Sequence, residues 1–233
     1  MTNQTPAFTG LDPVSEMQQA SQAIRRVAVI ALMAVALGFV MQGLILATKL
    51  TAGGTFPGML VFLDLAQGVS WSVVVCTGVG IGTTLAKARA ALAGFIAMIF
   101  APVGVAVAKA SQKIVAGLIG AAEQPAMLSL ATISVLRAVE YGLLGWLLAV
   151  LAQKDVARAL PYLAIGAAIG VFFGGSIAAL GYQAALINGT ALKAPQIAAS
   201  LVNEIGSPLG CALLIYLGQV VTRSYKAFSA YQA

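Results

Sequence analysis

Residues 27–50, VAVIALMAVALGFVMQGLILATKL, carry no charge before Lys49. A helix crossing the hydrocarbon core of a bilayer needs about 20 mostly apolar residues, and this stretch supplies them. Five more stretches read alike: roughly 58–85, 91–110, 125–152, 160–186 and 197–221. Backbone groups in lipid have to be satisfied within the spanning segment, which makes these segments helices. None shows the polar–apolar alternation of a barrel strand. Charged residues are only 9% of the chain and mean hydropathy is +0.95. The predicted fold is therefore all-α: a polytopic membrane bundle of six transmembrane helices, with connections too short for a folded domain outside the membrane.

Residues 1–26 form a polar N-terminal arm without the basic start and short apolar core of a secretory signal. Asp12 and Pro13 read as N-cap and first helical residue. Val14, Met17, Ala20, Ile24 and Val27 follow at three- and four-residue spacing, which predicts a short amphipathic helix at the interface, running into the first span. Residues 223–233 read as a cytoplasmic tail.

The third and sixth spans share a pattern. Ile99, Pro102, Gly104 and Ala106 fall opposite Ile205, Pro208, Gly210 and Ala212, and Leu32, Ala34, Val35 and Gly38 fall more loosely opposite Leu136, Ala138, Val139 and Gly142. Residues 27–122 and 123–222 then form two three-helix repeats. Because three is odd, the two enter the membrane from opposite faces, giving a 3+3 inverted repeat of the kind many transporters use. Glycines at 166, 170 and 174, with Gly78, Gly80 and Gly82, predict close helix packing.

The net charge of +6 does not point to nucleic acid, because the basic residues lie at span ends. Arg25, Arg26, Lys87, Arg89, Lys154, Arg158, Arg223 and Lys226 gather on one side. Lys49, Lys109, Lys113 and Lys193 lie on the other. By the positive-inside rule both termini are inside. With minimal loops, this suits a bacterial inner membrane. The expected partners are the lipid bilayer and either further copies of the chain or other membrane subunits.

There is no histidine, and Cys76 and Cys211 sit mid-span on different helices. That argues against His-ligated haem, His/Cys zinc and histidine-based catalytic devices. No cofactor and no enzymatic activity are expected, and the thiols read as small packing groups.

Ionisable residues inside a membrane are costly and ask for a reason. Arg137 and Glu140 share a face of the fourth span at i, i+3. They form either a self-neutralising pair or a gate whose pairing changes. Glu204 in the sixth span precedes Pro208, which has no N–H for the carbonyl of Glu204. With Asn203 and Ser207 nearby, this stretch suits a hard cation or a proton, or else a kinked helix whose Glu204 pairs with Lys109 or Arg137. Asp64, Gln67 and Trp71 share a face that lines an outer vestibule. Lys109 and Lys113 mark the outer exit of the third span, snorkelling toward headgroups and dividing the membrane helix from an amphipathic turn. Two functions follow: a small channel or secondary transporter, cation- or proton-coupled, or a non-catalytic membrane subunit of a larger secretion, respiratory or photosynthetic assembly.

Overall fold

The computed structural model describes residues 13–85, 89–122, 128–190 and 192–231. Among these there are only helices and connecting turns. Six helices are long and apolar enough to cross a membrane. They are α1 (Pro13–Thr51), α2 (Val61–Leu85), entered through a 3₁₀ turn at Gly58–Leu60, α3 (Ala90–Ile119), α4 (Leu130–Gln153), α5 (Ala159–Ile187) and α6 (Ala194–Tyr231).

Pro13 opens α1, where its missing N–H costs nothing; Asp12 lies outside the described residues. α1 then continues unbroken through the first span. Two boundaries differ from the sequence expectation. The fourth span starts at Leu130 rather than 125, because the Ser129 hydroxyl accepts the Thr132 N–H at 3.0 Å and caps the helix there. The third span is not divided near Lys109–Lys113. It is one helix as far as Ile119, ended by Gly120 at φ 65°, where only glycine is unstrained. α6 likewise runs on past Tyr216 to Tyr231.

α1 packs on α2 and α6, α2 on α3, α3 on α4 and α5 on α6, with a lighter α4–α5 contact. The ring is thus closed, and α2, α4 and α6 also meet inside it. Phe39, Phe95, Val135, Leu160 and Phe172 are exposed on its outside, as a lipid-facing surface requires.

The glycine stripe of α5 is buried between α5 and α6. A Cβ on Gly166 would lie 2.8 Å from that of Ala212, and one on Gly170 would lie 2.7 Å from the Ile205 carbonyl oxygen. Gly174 lies against the Glu204 carbonyl, the group Pro208 deprives of its helical donor. α5 makes a π-turn at Gly170–Gly174 along this contact, a device frequent at functional sites.

The apolar core occupies the half of the bundle nearest Arg26. Ile30, Ala34, Val75, Val79, Leu144, Leu148 and Ile215 belong to it. So do Cys76 and Cys211, whose thiols lie within hydrogen-bonding reach of each other. Their sequence spacing contains nothing that would join them; the α2–α6 crossing does.

Candidate functional site

The other half of the bundle is hollow. A cavity of about 590 Å³ opens beside the α1–α2 and α5–α6 turns, and all six helices line it. Gln42 and Lys49 come from α1, Asp64, Gln67 and Trp71 from α2, and Lys109 and Gln112 from α3. Arg137 comes from α4, Tyr182 from α5, and Gln196, Ser200, Asn203 and Glu204 from α6.

Its floor is a buried ion triad. The Arg137 guanidinium donates through Nη1 to Glu140 Oε2 at 2.7 Å and through Nη2 to Glu204 Oε2 at 2.5 Å. Asn203 Nδ2 donates to the other Glu204 oxygen at 3.2 Å. Glu140 is fully buried, and Arg137 and Glu204 nearly so. Arg137 also sits 5.2 Å above the Trp71 ring, a cation–π contact that helps hold a cation out of water. Trp71 in turn meets Tyr141 edge-on at 5.4 Å. One helical spacing and one helix crossing build the triad: i, i+3 on α4 for Arg137 and Glu140, and the α4–α6 crossing for Glu204.

The mouth carries a second pair. Lys49 Nζ lies 2.9 Å from Asp64 Oδ2, with both side chains partly exposed. Asp64, Gln67 and Trp71 all face the cavity, while Ser70 turns to α3 and bonds Ser111 at 2.9 Å. Lys109 does not reach outward as its sequence position suggested. It turns into the cavity and donates to Gln112 Oε1 at 3.1 Å.

Of the residues singled out in the sequence, Arg137, Glu140, Asn203 and Glu204 are brought together. Asp64 lies in the same cavity at its mouth. Ser207 is buried one turn beyond Asn203 on α6 and is not part of the cavity wall. Among the alternatives for Glu204, the partner is Arg137 and not Lys109. Gln42, Gln112, Gln196 and Ser200 had not been singled out. Gln42 did carry a signal, as the one polar side chain amid α1's apolar run. Among the described residues no group of acidic or thiol side chains is arranged to hold a metal ion.

Comparison with protein-family models, with curated proteins and with solved structures finds no match to this chain.

Proposed function

We propose that the chain is an integral protein of a bacterial inner membrane, with both termini inside, acting as a small channel or ion-coupled secondary transporter for a small polar solute. The observation that carries this is the cavity: six helices surround it, it is open at one end, and it stops on a buried ion triad above a dry core. Ligand sites between the helices of a bundle take this form. With Arg26 inside, the cavity opens outward and the apolar half closes the inward path. A 3+3 inverted repeat agrees with the closed ring, in which α1–α3 and α4–α6 each pack in sequence and join at α3–α4 and α6–α1.

The ionic balance suggests the solute class. Lys49 and Asp64 cancel, Lys109 adds a positive charge near the mouth, and the triad holds one cation against two carboxylates. Charges already paired within the chain, with Gln42, Gln67, Gln196, Ser200 and Asn203 along the wall, favour a neutral or zwitterionic solute rather than a bare ion.

The subunit alternative rests on a different feature. α1 begins before its span, and there Met17 and Ile24 are 69% and 70% exposed, an apolar face suited to lie on the bilayer or dock another subunit.

The test is uptake of labelled glycine, glycine betaine and glycerol by vesicles containing the purified protein. Uptake above protein-free vesicles, blocked by a bulky maleimide on Ser200→Cys in a Cys76→Ala/Cys211→Ala background, is expected. No uptake of any of the three, with unrelated subunits co-purifying in fixed ratio after gentle extraction, would replace transport with the subunit role.

A further inference from the structure

The triad holds one guanidinium and two carboxylates. If all three were ionised, it would hold a net negative charge at a site where Glu140 is fully buried, and an unbalanced buried charge is strongly unfavourable. The four carboxylate oxygens are not treated alike. Glu140 Oε2 and Glu204 Oε2 each take an Arg137 nitrogen, and Glu204 Oε1 takes the Asn203 amide. Glu140 Oε1 is buried and has no hydrogen-bond partner.

A metal cation does not suit this place. The two carboxylates already face a cation supplied by the chain, and the Glu204 carbonyl is packed against Gly174. A second positive charge beside the guanidinium would be repelled, whereas a proton on a carboxylate oxygen removes the excess negative charge without needing a coordination shell.

We infer that Glu140 and Glu204 share one bound proton, resting on Glu140, and that this proton is the coupling ion of the transport cycle. The second half rests on the transport function proposed above; the first does not. When water reaches the triad while Arg137 stays against both carboxylates, the O–H bond at Glu140 breaks and the proton passes by way of Glu204, which alone of the two carboxylates lines the cavity, to cavity water, leaving the ionised triad. The reverse step restores the protonated, neutral triad.

The groups around Glu140 leave it as the acceptor. On α4 these are Arg137 and Tyr141, on α6 Glu204 and Cys211, and on α2 Cys76. The charged residues of α3, Lys109 and Lys113, lie toward the mouth, and α5 brings Tyr182 there. Arg137 is a permanent cation, and a phenol or a thiol is already neutral with its own proton in place, so the carboxylates are left to carry the extra proton.

The test is infrared spectroscopy of the reconstituted protein near neutral pH. Wild type is expected to show a protonated-carboxyl C=O band that is lost in both Glu140→Gln and Glu204→Gln, because either change leaves a neutral Arg–Glu pair. Absence of the band from wild type, or its survival in either variant, overturns the shared proton. Both Gln variants conserve shape and charge balance, so each is expected to fold, and size-exclusion chromatography checks this. Coupling is read separately, as uptake driven by an imposed pH gradient. A several-fold response in wild type that disappears in Glu140→Gln is expected. Solute uptake indifferent to the gradient overturns the coupling while leaving the proton site, and absence of all uptake with the band present removes transport alone.

Discussion

Toward Arg26 the bundle axis is filled by Ile30, Val79, Leu144, Leu148 and Ile215, all fully buried. Toward Lys49 the same helices present Gln42, Gln67, Arg137 and Glu204 to an open space of about 590 Å³. Both halves show apolar side chains on the outside, so the surface does not distinguish them. The contrast lies along the axis. Apolar side chains at the crossings interdigitate and exclude water, at a density close to that of an organic crystal. Polar side chains facing one another need partners or water, and they keep a hollow between them. A cavity closed at one end and open at the other follows from which residues point inward in each half, with no change of fold.

The largest expected effect comes where the halves meet. Arg137→Ala would leave Glu140 and Glu204 buried without their cation and is expected to destabilise by about 3–5 kcal/mol, seen as loss of monodisperse protein after detergent extraction. Adding Glu140→Ala should restore only part of this, because Glu204 stays buried, whereas adding Gln at both 140 and 204 should restore most of it. Equal folding of all these variants would mean the triad is hydrated rather than buried.

In the dry half, Leu144→Ala should cost about 2–5 kcal/mol by opening a cavity, measured as a drop in Tm in detergent. Gln67→Ala in the hollow half should leave Tm within about 0.5 kcal/mol equivalent of wild type while changing solute uptake. If the two changes cost the same, the halves are not different in kind. Between them in size is Gly170→Ala, whose added carbon meets the Ile205 carbonyl at 2.7 Å. Overpacking there should cost about 1–3 kcal/mol, and an unchanged Tm would show that α5 can move off α6. The smallest effect is expected at the mouth. Lys49 and Asp64 are partly exposed, and an exposed ion pair contributes about 0–1 kcal/mol. Asp64→Asn should therefore alter Tm barely, and any change should fade with added salt.

The six helices were legible in the sequence because the bilayer imposes a length and an apolar composition on every span, and both are local properties. Arg137 and Glu140 were legible as a pair because i, i+3 spacing puts two side chains on one helix face whatever surrounds them. The inward turn of Lys109 was not legible, since a lysine near the membrane boundary can snorkel outward or reach inward, and only the placement of the surrounding helices decides. The start of α4 was misplaced because apolar residues continue before the Ser129 cap.

What the sequence by itself determined is the class of molecule, its six spans, the close packing promised by Gly166, Gly170 and Gly174, and the presence of costly polar groups within those spans. Only the tertiary structure decided that Glu204 meets Arg137 across 67 residues, that Cys76 and Cys211 are neighbours, and that the polar faces converge on one hollow. Which faces of separate helices meet depends on their rotation and crossing about one another, set by packing summed over the whole bundle, and no local pattern records it.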